Sequence, residues 1–257
     1  AGSVVPDVCF DRAALNQELA RSQSALAAFT AANLPDGSGE LTSVREALTL
    51  DDLEGGEQVG LLVANLRLND VRRVNRGLLA ASQVVGMGGC LATRYKPQSF
   101  GRSDSSMNGT LTFLAAFVWR RAVPKIPLLN ALYFALTKGR DRSMSRTEVW
   151  GRLAFCGFHV LAEEAQGGGE TLLLAQKQAN PVRERRPSYY PIIELQKMGI
   201  DGKPVGIHKV RSMFAFSEFL QKRMYEDHGL AAGGKFSNDF RLTEYGPFVR
   251  RYWLDEL

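Results

Sequence analysis

The residues of this sequence best suited to chemistry gather in its last third. Asp255 and Glu256 stand side by side, with Arg250 and Arg251 just before them and Arg241 further upstream. Lys209 and Arg211 flank Val210 in the run KMGIDGKPVGIHKVRSM, from Lys197 to Met213. Arginine and lysine neutralise phosphate charge, arginine through a planar fork that bonds two oxygens at once. A carboxylate can attack phosphorus, splitting one displacement into two. A neighbouring carboxylate can hold Mg²⁺ and offset charge on the phosphate oxygens. Together these types suit transfer of a phosphate-linked group from a diphosphate. Each has a plainer reading beside it. An Asp-Glu pair alone is ordinary solvated surface, Arg250 to Trp253 can be a packing patch, and His208, alternating with Ile207 and Val210, reads as a strand residue.

Positioning such groups requires a scaffold, and the pattern upstream is that of an α/β protein. Leu15, Leu19, Leu26 and Phe29 recur at helical spacing, predicting a helix from Asp11 to Asn33, with PDGSGE (Pro35 to Glu40) a loop. Ser43 and Glu46 have capping-box spacing, predicting a short helix through Leu48. Gln58 to Leu68, QVGLLVANLRL, reads as a buried parallel strand. A helix from Asn69 to Val85 follows, ended by the glycines of GMGG at Gly86 to Gly89, with a second strand from Cys90. Ser145 and Glu148 predict a capped helix through Phe155, stopped by Gly157. FHVLAEEA and ETLLLAQKQ then form a hairpin across Gly167 to Gly169. The fold class expected is α/β: a Rossmann-like open sheet with a terminal β-hairpin, then a small α+β segment. The shift to NPVRERRPSYYP marks a linker at 180–191, dividing an α/β domain (1–179) from a C-terminal region (192–257).

Composition narrows the function classes without choosing one. The chain has 257 residues, a formal net charge of +5 and a pI near 9.2. That mild excess suits nucleic acid, anionic lipid or a diphosphate alike. No spacing typical of a nucleic-acid-binding module is present, so no nucleic acid is expected as a partner. Cys9, Cys90 and Cys156 are scattered, which argues against a zinc site or a disulfide framework and points to a cytoplasmic protein. The apolar stretch at 111–136 is broken by Arg120, Arg121, Pro124, Lys125 and Pro127, short of the roughly 18 to 20 residues of a spanning helix. Its basic flanks leave a peripheral contact with the inner face of the plasma membrane as one reading and a buried helix pair as the other.

Two resemblances add to this. Leu61 to Thr93 and Ser145 to Lys177 resemble the second half of a class I S-adenosylmethionine methyltransferase. The Gly-rich loop and acidic residue of that family cannot be placed before Gln58, so the resemblance implies a degenerate scaffold, with S-adenosylmethionine (SAM) not expected as cofactor. The C-terminal segments resemble bacterial polyprenyl-phosphate sugar-phosphate transferases. Gly199, Gly202, Lys203, Lys209, Arg211, Ser212 and Met213 match one stretch of that family's pattern. Asp239, Arg241, Thr243, Gly246, Arg250, Arg251, Leu254, Asp255, Glu256 and Leu257 match another.

Runs such as NDVRRVN at Asn69 to Asn75 are similar to sugar-transferase-like proteins that carry a methyltransferase-like N-terminal region. This resemblance implies exopolysaccharide biosynthesis, with a nucleotide-sugar and polyprenyl phosphate as partners. It also implies Asp255 as nucleophile and Glu256 as the Mg²⁺ ligand. Lys209, Arg211, Arg241, Arg250 and Arg251 would contact phosphate. The family's membrane element before the first segment and its distal motif after the second have no counterpart here, which predicts a partial catalytic region with feeble or no transfer. The alternatives are a non-catalytic membrane-surface scaffold and a genuine SAM-dependent methyltransferase.

Overall fold

The computed structural model describes residues 11–22, 24–37, 43–50, 53, 57–97, 133, 135–138, 140, 142–182, 187, 189, 192–228, 239–243 and 245–253. The chain divides into two compact units. One comprises Ala1–Arg146 and Arg152–Val182, the other Thr147–Gly151 and Arg183–Leu257.

The N-terminal unit is a mixed α/β layer structure around five strands: β1 (Val44–Ala47), β2 (Val59–Arg67), β3 (Val85–Tyr95), β4 (Phe158–Ala165) and β5 (Thr171–Lys177). Their order is β1-β2-β3-β5-β4. The first three are parallel, and β5 runs antiparallel to both β3 and β4. Three parallel strands closed by an antiparallel hairpin form a mixed open sheet, the Rossmann-like α/β class expected from the sequence. A second segment of sugar-transferase type is not shown.

β2, β3 and β5 read as largely apolar runs because both their faces are covered. On one face Leu61, Val63, Cys90, Ala92, Leu172 and Leu174 pack with Leu15, Leu19, Leu26 and Phe29 of helices α1 (Arg12–Leu19) and α2 (Ala25–Asn33). Each such leucine contributes about 2 kcal/mol by leaving water. Helix α3 (Val74–Val84) packs against β2 and β3.

Three local expectations are corrected. The helix predicted over Asp11 to Asn33 is two helices, because Ser24 caps the second, its hydroxyl accepting from Ala27 N at 3.1 Å. Ser43 and Glu46 do not start a helix: Val44–Ala47 pairs in register with Leu61 to Ala64, and ladder bonds override the capping signal. Gly86 to Gly89 do not terminate α3 either. The helix passes directly into β3 at Val85, and the glycines lie inside the strand. A Cβ on Gly89 would stand 2.9 Å from the Gly60 carbonyl, so glycine is what lets β3 close on β2 there.

Helix α4 (Arg146–Phe155) and the hairpin across Gly167–Gly169 form as predicted. Gly157 ends α4 with φ +88, and a Cβ there would stand 2.0 Å from the Ala179 carbonyl. In the C-terminal unit, β6 (Ile192–Met198) and β7 (Pro204–Val210) form a hairpin. Helices α5 (Gln221–His228) and α6 (Gly246–Arg251) follow.

Candidate functional site

In open α/β sheets ligands bind outside the carboxyl ends of the strands, where loops part to either side. Here β2 ends at Arg67 and turns at once through a single 3-10 turn, Leu68–Asp70. The turn places Asp70 back against the strand end, so Arg67 Nε donates to Asp70 Oδ2 at 2.8 Å. Arg67 Nη1 also lies 3.6 Å from Glu170 Oε1, and Arg94 Nη1 lies 3.4 Å from Glu170 Oε2. Arg67 and Arg94 are register partners on β2 and β3. The carboxylates of Asp70 and Glu170 therefore hold two guanidiniums at neighbouring strand ends.

Between them Asn69 is buried and fully occupied. Its Nδ2 donates to the carbonyls of Lys96 (3.0 Å) and Arg142 (2.6 Å), and its Oδ1 accepts from Lys96 N at 2.7 Å. One amide thus ties the end of β2 to the end of β3 and to the chain leading into α4.

Beside this tie lies a cleft of about 490 Å³. Leu48, Leu50, Leu66 and Val71 make its apolar walls, and Thr49, Arg67, Asp70 and Arg140 its polar ones. Leu48 to Leu50 follow β1 directly, so the cleft opens at the carboxyl ends of β1 and β2. Its size is that of a small-molecule site, and its lining has the usual pattern of apolar walls with a few converging polar groups. No glycine lines it among the described residues, so any ligand is held by side chains rather than by close backbone approach. The sequence signal was present in Asn69 and Asp70, a polar pair directly after a buried apolar strand. It is lost when that pair is taken as the start of a helix.

The residues nominated from the sequence fall elsewhere. In the C-terminal unit Met213 and Leu242 form an antiparallel bridge, so the two matched segments are brought together. Phe214 N donates to the Arg241 carbonyl at 2.8 Å, and Thr243 N and Oγ1 both donate to the Ser212 carbonyl at 3.0 Å. Gly246 closes over the same carbonyl, where a Cβ would come within 2.4 Å. Arg241 is 2% exposed. Its Nε and Nη2 donate to Asp239 Oδ1 (2.7 Å) and Oδ2 (2.8 Å), and its Nη1 to Gln221. Its fork is spent inside the fold.

Arg211 is also buried, which lowers its guanidinium pKa; Glu218 and Tyr245 pull it back up. Arg250 is exposed, with its Nε on Ser212 Oγ at 3.0 Å. Arg251 is exposed and lies 5.8 Å from the Tyr252 ring centroid. Lys209 is half-buried on β7 opposite Ile193, and His208 is a strand residue opposite Glu194. Asp255 and Glu256 lie outside the described residues, as does most of the 111–136 stretch. No helix among the described residues is long and apolar enough to cross a membrane.

No family model matches the chain, and no curated protein matches it. Solved structures do. An O-methyltransferase family 2 protein from Planctomyces limnophilus is 18% identical over 49% of this chain and 33% of its own, with a TM-score of 0.32. An O-methyltransferase family protein from Burkholderia thailandensis is 17% identical over 60% and 39%, also at 0.32. The structure of LepI in complex with SAM is 9% identical over 70% and 45%, at 0.35. The chain therefore spans between a third and a half of the length of these structures.

The sugar-transferase resemblance is overturned: no family model and no curated protein supports it, and the structures found include O-methyltransferase family proteins. The expectation of Mg²⁺ loses its support with that resemblance. The expectation that SAM is not a cofactor is contradicted too: the structures found include O-methyltransferase family proteins and a complex of LepI with SAM.

Proposed function

We propose that the N-terminal unit is a methyltransferase-type domain that binds SAM in the cleft at the carboxyl ends of β1 and β2. The observation that supports this reading is the lining of the cleft. It carries charge of both signs, Arg140 and Asp70, on apolar walls.

SAM pairs an amino-acid zwitterion with an adenosine, and the residues present suit both parts. The exposed guanidinium of Arg140 is complementary to the carboxylate, and Asp70 to the ammonium. Leu48, Leu50, Leu66 and Val71 offer contact to the base. When bound, SAM supplies an electrophilic methyl group. The chain's own residues bind and orient it. Arg67 fixes Asp70 from behind through the 2.8 Å bond, so the carboxylate is presented in one orientation.

Isothermal titration of the chain with SAM tests this. Saturable binding that weakens about tenfold in Arg140→Gln is expected, the loss of one charge-assisted contact. Absence of saturable binding, or binding indifferent to Arg140→Gln, refutes the assignment.

A further inference from the structure

We infer that Asn69 is a positioning residue for the cleft: its amide holds the chain segment that presents Arg140 to the ligand. The inference rests on the function proposed above, which gives that guanidinium to the carboxylate of SAM.

Asn69 is 2% exposed and is not among the residues that line the cleft, so it acts on a ligand only through its neighbours. On one side Asp70 and Val71 follow it directly in the chain and form part of the cleft wall. On the other side Arg140 stands two residues before Arg142, which Asn69 grips with both main chain and side chain. Arg142 N donates to the Asn69 carbonyl at 2.9 Å, and Asn69 Nδ2 donates to the Arg142 carbonyl at 2.6 Å. Arg142 Nη1 donates to the Arg72 carbonyl at 3.1 Å, fastening the segment again just past Val71. Arg140 N donates to the Thr137 carbonyl at 3.0 Å, closing a turn immediately before this anchor. The cleft charges of Asp70 and Arg140 thus meet at one residue that touches no ligand itself.

A primary amide suits that place, because it offers two N–H donors and a carbonyl acceptor on a short stem. The second donation goes to the Lys96 carbonyl at 3.0 Å, and Oδ1 accepts from Lys96 N at 2.7 Å. Ionised aspartate has the same shape and keeps the acceptor, but it has no hydrogen to donate. Asn69→Asp therefore frees the Arg142 carbonyl while Lys96 N stays bonded. Arg140 then remains in the chain but is no longer held in place, and a binding group loses its effect when its support is loosened.

The test is calorimetric titration of the whole chain with SAM in the wild type, Asn69→Asp, Arg140→Gln and the double variant. Asn69→Asp should weaken binding about tenfold alone and less than about twofold once Arg140→Gln is present. Equal losses in both backgrounds mean that Asn69 serves the fold at large, and they overturn the inference. Unchanged binding in Asn69→Asp overturns it as well. Hydrogen exchange read by mass spectrometry follows the same tether without ligand. Peptides carrying Arg140 and Arg142 should exchange about tenfold faster in Asn69→Asp, with those of α1 and α2 unchanged. Asn69→Ser, which drops the amide without adding a charge, should show the same local rise. Exchange unaltered at Arg140 and Arg142 in both variants overturns the tether. If the wild type does not bind SAM, the function proposed above falls, and the exchange comparison alone decides the tether.

Discussion

Replacing Arg241 with alanine separates a ligand-binding arginine from a folding one. A guanidinium awaiting phosphate can be removed at little cost to stability, because its partner is absent until ligand arrives. Arg241 is instead 2% exposed, bonded twice to Asp239 and once to Gln221. The Asp239 side chain is itself only 8% exposed. Arg241→Ala therefore strands a carboxylate in the interior, a change that costs about 3–5 kcal/mol. Removing the carboxylate as well, in Asp239→Ala/Arg241→Ala, relieves that penalty. The double variant should be more stable than the sum of the single losses predicts, by about 1 kcal/mol or more.

Urea denaturation read by tryptophan fluorescence is the assay. Trp150 reports on this unit, since its ring meets Phe240 edge-on at 5.7 Å and the Arg223 guanidinium lies 4.1 Å from its centroid. A loss below about 1 kcal/mol in Arg241→Ala, or strict additivity in the double variant, would show that the buried pair is not what secures the bridge between Met213 and Leu242.

The same pair sets an acid limit. Burial pushes the Asp239 carboxyl up, but the hydrogen bonds and charge of Arg241, with help from Arg250, outweigh it and hold it below its usual value. Its contribution is present above the unfolded-state pKa and is lost as pH falls below about 4 and through the folded value. Thermal melts of the wild type should lose stability across that window more steeply than those of Asp239→Asn. Gly151→Ala sets helix propensity against packing. Propensity alone favours alanine by about 1 kcal/mol, yet the new Cβ would stand 2.3 Å from the Phe216 carbonyl. A fall in melting temperature is expected, and a rise would show that α4 shifts without cost. Lys177→Met removes an ammonium that donates to the Val85 carbonyl at 2.9 Å and to that of Ser82. Leaving those buried carbonyls at the end of α3 unpaired should cost about 1–3 kcal/mol by denaturant titration. An unchanged midpoint would mean that relief of the buried lysine cancels it.

Much of the scaffold is legible along the chain. The apolar runs at Val59–Arg67 and Thr171–Lys177 announce buried strands, because strands covered on both faces need no polar alternation. Ser145 and Gly157 bracket α4, and three consecutive glycines mark the hairpin between β4 and β5. Local signals of this kind depend on a few neighbouring residues. Where a non-local partner competes they fail: Val44–Ala47 carries a helix cap and becomes a strand, because β2 offers it a ladder. The cleft was illegible for the same reason, as its walls come from residues 48–50, 66–71 and 140, which only the sheet brings together.

The C-terminal arginines divide along the same line. Sequence alone determined that Arg241, Arg250 and Arg251 accompany a conspicuous run of charge, and that a guanidinium can pair with a phosphate. Tertiary structure decided that Arg241 has Asp239 as its anion, and that Arg67, not singled out by any sequence pattern, stands at the mouth of a cleft. Residue type limits which partners a charge can accept. Which partner it has depends on burial and distance, and those exist only once the chain has folded.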